Sequence, residues 1–545
     1  MSRYEAAKRD GLARIGIYEE GETSVSLPAT LDTDSLFPAL RERSLSNVPL
    51  SAEEAFVRDY FSPGDGQPVA VHPLAAQTAE SGDCTMVAGW HTALKNPRNY
   101  AAWLATLKES VPPDTAWYAP ASALPSTACL LVYSGFDLFD YRAVDLASAQ
   151  KTFCLPEGEF PASLMETGAC GCKGCRDGDL RQHNRLALDR ELALVRHFIE
   201  AGRLRELMES RCRADAAQVG ILRFLDRNYA LMERSLPVAR AVPMRANTAE
   251  SQNRAEVRRF ADRVIERFVP TRTDVAVLLP CSARKPYSLS RSHRLFVNVV
   301  DRRAHELIVT SPLGLVPREL ERVYPAGHYD VPVTGYWDRE ECAFIADILS
   351  RYFAAHPYRR VIAHLDGGAL TVAEMAAEAC GFDLEVTCQG HPTAPASLRA
   401  LSAALEGERR MQADTVRGTV SWQFATGINT RGLQVRGRSM QMAVLRGKQQ
   451  LFSIDAGTGL FRPTFEGWDL IPEGYRVNID AFVPQGDVLA PGITDCDPRI
   501  REGDEVLVEG PLAIATGRAM MGADEMLRSK RGVAVRVRKT KKIAE

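Results

Sequence analysis

What this 545-residue sequence lacks already narrows what it can do. It has no apolar run near the roughly 20 residues that cross a bilayer. Met1-Ser2-Arg3-Tyr4-Glu5 carries no apolar core of a secretory leader, so a cytoplasmic location is expected. It has no excess of one charge: 67 Lys and Arg against 69 Asp and Glu leave a formal net charge of −2, so any affinity for nucleic acid must come from local patches. It has no bias towards disorder, because 45% of its residues are hydrophobic and 25% charged, as in soluble globular proteins. At about 100–200 residues per domain, the length calls for several domains. In a reducing compartment the 12 cysteines read as metal ligands or catalysts before they read as disulfides.

The stretch around which the chain is organised is Pro280-Cys281-Ser282-Ala283-Arg284-Lys285-Pro286-Tyr287-Ser288-Leu289-Ser290-Arg291-Ser292-His293. It follows the apolar run Val275 to Leu279, which is short, branched and introduced by polar residues, and which therefore predicts a buried strand. A helix is expected over Glu256 to Phe268. Further strands are expected at Glu306 to Thr310 and Arg360 to Leu365, each running into a polar or glycine-rich loop, the last being Asp366-Gly367-Gly368. Strands that end in such loops form a doubly wound α/β sheet with one crevice at their carboxyl ends, where a small substrate fits. The stretch Pro392-Thr393-Ala394-Pro395-Ala396 and the polar, helix-like run Arg399 to Arg410 read as a linker.

Upstream, short strands are expected within Gly11 to Tyr18 and Thr23 to Pro28, a helix over 94–110, and strands at Thr115 to Ala119 and Ala128 to Tyr133, an α/β alternation. Cys170, Cys172 and Cys175 in one glycine-containing turn, with His183 eight residues on, supply the four ligands that tetrahedral Zn²⁺ prefers. Four protein ligands leave no open position, so the zinc is expected to be structural. His197, the rival imidazole, falls on an amphipathic helical stretch.

Gly135-Phe136-Asp137-Leu138-Phe139-Asp140, the cysteine cluster, His183-Asn184 and Ile199 to Leu207 resemble the second half of a tRNA-guanine transglycosylase. That resemblance implies a zinc-bearing TIM-type (β/α) barrel, here degenerate, with Asp140 where the family has its nucleophile. The departures are an Asp-Ser-Gly-Gly segment replaced by Glu80-Ser81-Gly82-Asp83 and a missing Gly-Gly-Leu loop, so base exchange is not expected and Asp140 is left as a structural, substrate-facing or RNA-facing carboxylate. Pro280, Cys281, Lys285, Pro286, Tyr287, Ser290 and His293 match the Pro-Cys-x-x-x-Lys-Pro-Tyr-x-x-Ser-x-x-His signature of the archaeosine synthase family. The resemblance implies addition of an amine to the nitrile of 7-cyano-7-deazaguanine in the D-arm of tRNA, with lysine or glutamine as donor and a separate radical enzyme completing the product. By analogy with the transglycosylases it also suggests a homodimer.

The residues suit that chemistry. Cys281 could attack the nitrile carbon, dividing one hard step into two easier ones, or the loop could bind substrate while the amine attacks directly. Lys285 and Arg284 would favour the thiolate, and His293 or Lys285 could move protons. Tyr287 and Ser290 could fix the base or the amine. Asp366 either holds the cationic end of an amino-acid donor or only forms the turn before Gly367.

From Val416 the pattern turns to short β runs, with Arg431, Arg436, Arg438, Arg446 and Lys448 making the segment locally basic. Gly486 to Ile493, Gly503 to Val506 and Gly532 to Val535 resemble a PUA domain, an RNA-binding β-barrel, whose basic end carries Arg528, Lys530, Arg531, Arg536 and Arg538 as expected phosphate contacts. The expected organisation is a zinc-containing transglycosylase-like domain at 1–220, an α/β catalytic core at 240–400, a small β-rich segment at 411–472 and a PUA domain at 474–545.

Overall fold

The computed structural model describes residues 3–31, 78–81, 83–87, 96–332, 336–437 and 442–543. Gly82 and Arg438, singled out above, lie outside the described residues. The chain forms two compact units: Met1–Pro237 with Val488–Ile493 and Met521–Ala534, and Val238–Asp487 with Thr494–Met520 and Val535–Glu545.

The first unit opens with an antiparallel sheet of Arg3–Asp10, Ala13–Glu20 and Thr23–Leu27. Next comes a five-stranded sheet in the order Ala29–Thr30, Leu138–Phe139, Ala116–Tyr118, Cys84–Val87, Thr78–Ser81, parallel except for the last pair. Among the described residues this sheet is an open arc that does not close into a ring. The helix expected over 94–110 is Pro97–Ser110, started by the Asn96 side chain and turning Tyr100, Trp103, Leu104 and Leu107 inward. The strand expected at Ala128 to Tyr133 is instead part of a helix, Pro125–Tyr133. Almost every residue of that helix is buried, so no polar face marks the helical period and a continuous apolar run of this length reads equally as a strand. The deciding signals are local: Pro125 in the first turn, where its missing N–H costs nothing, and the Thr127 hydroxyl accepting from the Leu124 amide.

The second unit is built on a sheet in the order Gly314–Pro317, His305–Thr310, Val275–Pro280, Arg360–Ala363, Leu384–Val386, with only Gly314–Pro317 antiparallel. In the central strand Val275, Val277 and Leu279 pack with Phe296, Val300 and Leu401 on one face, while Ala276 and Leu278 join Val257, Phe260, Ile345 and Val372 on the other. Both faces are therefore covered by helices, which is why the strand reads as an uninterrupted apolar run. The region read as a linker contains a helix, Pro395–Ala404, whose Leu401 is fully buried against this sheet, so this helix is part of the packed unit. The chain passes from the central strand to His305–Thr310 on one side and returns to Arg360–Ala363 on the other. This reversal puts a switch point beside the carboxyl end of Val275–Pro280.

The same unit continues through the buried helix Thr415–Phe424 and an antiparallel sheet of Leu433–Arg436, Ala443–Arg446, Gln449–Ile454 and Phe461–Pro463. Beyond it Arg476–Ile479 pairs with Glu505–Glu509, which runs antiparallel to Ala513–Ala519, itself antiparallel to Val533–Lys542. No helix among the described residues is long and apolar enough to cross a membrane.

Candidate active site

The carboxyl ends of three strands converge on a cavity of about 570 Å³. Cys281 enters it from the central strand, Ser311 and Pro312 from His305–Thr310, and Asp366, Gly367 and Gly368 from Arg360–Ala363. Trp337 and Glu341, at the start of the helix Arg339–Ala355, close another wall.

The loop after Cys281 is fixed from several sides. Ser290 caps the helix Arg291–Val300 by accepting from the His293 amide at 3.1 Å, so its hydroxyl serves the backbone rather than a substrate. The His293 ring, fully buried, donates from Nε2 to the Pro280 carbonyl at 2.9 Å and accepts at Nδ1 from Arg318 at 2.9 Å. Burial and the Arg318 guanidinium pull its pKa down to about 3, so the ring is neutral and both nitrogens are engaged. Arg318 is itself held by Glu306 at 2.6 Å and Glu321 at 2.8 Å, and Glu321 also accepts from the Ser288 amide and hydroxyl. His293 thus ties the end of the central strand to the loop, and its geometry does not suit the proton-carrying role its sequence position suggested.

Cys281 lines the cavity, and both it and Lys285, four residues on along the loop, are half-buried. Burial pushes the Cys281 thiol up, while the Thr310 hydroxyl and the Lys285 charge pull it down. Burial lowers the Lys285 pKa against the opposing pull of Cys281 and Asp330, and its Nζ stands 3.9 Å from the centroid of the Tyr329 ring. Tyr287 is fully buried, with its hydroxyl 2.7 Å from that of Tyr329, which lies 2.5 Å from Thr310 Oγ1. Tyr287 is therefore part of the support beneath the site. Asp366, exposed on the cavity rim at the start of the helix Gly367–Cys380, makes no side-chain capping bond. Thr310, Tyr329, Arg318 and Glu321 were not singled out from the sequence. Thr310 ends an expected strand, and the others fall in the polar loops that follow it, which was the signal available.

In the first unit Cys170, Cys172, Cys175 and His183 bring their ligand atoms within 4.8 Å of one another. Cys172 Sγ and Cys175 Sγ are 3.7 Å apart, and His183 Nδ1 lies 3.4 and 3.2 Å from them. Tetrahedral zinc with bonds of about 2.3 Å to sulfur separates its sulfurs by ~3.8 Å, so the donor set fits. His183 Nε2 donates to the Cys154 carbonyl at 3.1 Å and its ring stacks on Phe153, which aims Nδ1 at the thiols.

Asp140, in the same unit, is buried and saturated. One oxygen accepts from the Tyr118 hydroxyl at 2.7 Å, the Ala121 amide at 2.9 Å and Arg142 Nη1 at 3.0 Å, and the other from the Arg142 amide at 2.9 Å. These bonds join the ends of Ala116–Tyr118 and Leu138–Phe139 to the start of the helix Arg142–Ala149.

The basic residues near the C-terminus divide. Arg528 donates to the carbonyls of Glu109 and Val111, Arg531 pairs with Asp83, and Arg538 pairs with Glu505. Arg536 and Lys530 keep their side chains exposed.

Residues 257–405 match a family described as Domain of unknown function (DUF5591), and residues 478–540 match the PUA domain family. The chain is 37% identical over 531 residues, 89% of its own length and 85% of the relative's, to archaeosine synthase subunit alpha of Methanosarcina acetivorans. It is 36% identical over 585 residues, 98% of each protein, to archaeosine synthase of Haloferax volcanii. A tRNA-guanine(15) transglycosylase of Methanothermobacter thermautotrophicus is 26% identical over 477 residues, 80% of this chain and 68% of that one. The chain belongs to the archaeosine synthase family.

Proposed function

We propose that this chain is a tRNA-modifying transferase that adds an amine across the nitrile of 7-cyano-7-deazaguanine in tRNA, in archaeosine biosynthesis. The observation that carries the reading is the switch-point cavity lined by Cys281, whose loop also carries the Lys285 amine and is braced by His293, Arg318 and Tyr287. A nitrile carbon is electrophilic and carries no leaving group. Cys281 Sγ bonds to that carbon and a proton passes to the nitrile nitrogen, giving a thioimidate. The donor amine then attacks the same carbon, and the tetrahedral adduct collapses by expelling the thiolate, leaving a substituted amidine. Lys285 supplies the positive charge that steadies the departing thiolate and carries protons between sulfur and nitrogen. Lysine is the donor we favour over glutamine, with Asp366 on the rim holding its cationic end; a separate radical enzyme would then complete archaeosine. Upward pressure of burial on the Cys281 thiol supports a second reading, direct attack by the amine without a thioimidate.

Cys170, Cys172, Cys175 and His183 would hold Zn²⁺, which when bound supplies a structural crosslink. We read the first unit as a degenerate transglycosylase-type barrel. Base exchange and a purely tRNA-binding scaffold are the weaker alternatives, because both Asp140 oxygens are engaged in hydrogen bonds and a scaffold has no use for a thiol and an amine on one loop. The exposed Arg536 and Lys530 are the proposed phosphate contacts of the PUA domain, and the setting is the cytoplasm, with a homodimer as the proposed assembly.

The test is mass spectrometry of nucleosides from tRNA carrying 7-cyano-7-deazaguanine after incubation with the protein and either lysine or glutamine. A gain of one lysine on the modified base supports the proposal. Tight tRNA binding with an unchanged base for every donor replaces it with the scaffold reading.

A further inference from the structure

The Cys281 thiol stands at the end of a line of buried hydroxyls. Pro280 pairs with Val309 across adjacent parallel strands, so Cys281 and Thr310 stand side by side at the strand ends, and the Thr310 hydroxyl pulls the thiol pKa down. Thr310 Oγ1 is 2.5 Å from the Tyr329 hydroxyl, which is 2.7 Å from that of Tyr287. Thr310 and Tyr287 are fully buried and Tyr329 is 4% exposed, so the line is shielded from solvent. Each hydroxyl has one proton to give. When the sulfur is a neutral thiol, Thr310 can spend its proton on the Ser311 carbonyl, 3.2 Å away. When the sulfur is a thiolate, every proton can point the same way: Tyr287 to Tyr329, Tyr329 to Thr310, Thr310 to sulfur. Such chains polarise one another in a low-dielectric site.

We infer that Tyr329 is a positioning residue for the Cys281 nucleophile, acting through Thr310, which its hydroxyl turns towards the sulfur, and through Lys285, whose ammonium rests on its ring. The inference deepens the proposed nitrile addition and rests on it for its purpose, since it gives Cys281 a way to ionise despite burial. The ring face attracts a cation, and Lys285 Nζ at 3.9 Å from its centroid is held on the loop that carries the thiol. The other ionisable groups around the cavity include the His391 ring and several acids, Asp338 among them. Asp330 pulls on Lys285, while Glu341, which accepts from the Ser311 hydroxyl, and Asp366 face the cavity from the starts of two helices. The acids would not favour a thiolate, so its support comes from the hydroxyl line, Lys285 and the backbone N–H of Cys281 itself.

The experiment reads the thiol alone and needs no tRNA. The full chain is alkylated with iodoacetamide between pH 6 and 10, and the rate at Cys281 is followed by peptide mass spectrometry. Tyr329→Phe keeps the ring and the Lys285 contact but removes the hydroxyl. It should move the midpoint of the Cys281 profile upward and slow alkylation at pH 7 about three- to tenfold. Thr310→Val should do the same, Thr310→Ser should keep the wild-type midpoint, and Thr310→Val combined with Tyr329→Phe should be no slower than Thr310→Val alone. Lys285→Met should slow the reaction independently, which keeps the ring contact testable if a larger change at Tyr329 prevents folding. A Tyr329→Phe midpoint equal to wild type, or a double variant with additive loss, overturns the inference. Either result would leave the nitrile addition to be judged by its own nucleoside assay, and an inactive enzyme with the expected thiol profile would remove that reading while the hydroxyl line stood.

Discussion

His293 gives the sharpest prediction, because its place in the family signature suggests a catalytic base and its surroundings describe a structural pin. The ring bridges the Pro280 carbonyl and Arg318, and burial with the Arg318 charge lowers its pKa from 6.5 to about 3. In the unfolded chain the same histidine takes up a proton near pH 6.5. Between about pH 3 and 6.5 the unfolded state therefore binds one more proton than the folded state at this position. The stabilisation is fully present above pH 6.5 and is lost as pH falls towards 3, by at most about 1.4 kcal/mol per pH unit. At pH 5 the loss is about 2 kcal/mol, reduced by whatever relaxation lets water reach the ring. The assay is deuterium exchange at the imidazole C2 position, read for each histidine peptide by mass spectrometry across pH 4 to 9. His293 should exchange slowly with no midpoint above pH 5. A His293 midpoint between pH 6 and 7 would refute the pin and restore the base. His293→Gln, which removes the titrating ring, should also flatten the acid limb of stability relative to wild type.

Other expectations follow from the same contacts. Zinc analysis should find one metal per chain; Cys172→Ser should lower the retained zinc at least tenfold under mild chelation, and Gly174→Ala should do so without removing a ligand, because its Cβ would lie 2.8 Å from His183 Cα and from the Asp179 carbonyl. Asp140→Asn should lower the thermal stability of the first unit, at a cost of about 3 kcal/mol for disturbing a buried charge pair, while amine transfer measured below the melting range persists. Arg536→Glu should weaken tRNA binding and reduce the slope of log affinity against log salt by about one. Arg538→Glu should instead act mainly on thermal stability, since it breaks the pair with Glu505.

How much of this was legible depended on whether a residue's neighbours in space were also its neighbours in sequence. The central strand and its polar loop could be read because Val275 to Leu279 is buried on both faces and the loop follows directly. The cysteine–histidine cluster could be read because three of its four side chains share one turn. The helix Pro125–Tyr133 could not, because burial on every side erases the helical period. Ser290 and His293 were assigned to chemistry because residue type and motif position cannot distinguish a hydroxyl that caps a helix from one that binds substrate. Their partners, the His293 amide for Ser290 and Arg318 for His293, appear only when the loop is folded. Tyr329 lies 48 residues beyond Cys281, and nothing in its local sequence announces that its ring carries Lys285.

The account's central claim is that Cys281 bonds to the nitrile carbon, and it is tested most directly by leaving out the amine donor. Wild-type protein and Cys281→Ala would be incubated with tRNA carrying 7-cyano-7-deazaguanine, then resolved under denaturing conditions and the linked peptide sequenced. The account predicts a covalent protein–tRNA adduct through Cys281 in wild type, discharged to a lysine-bearing nucleoside when lysine is added, and neither adduct nor product with Cys281→Ala. Product formed by Cys281→Ala at a rate near wild type would contradict it and leave direct attack by the amine as the mechanism.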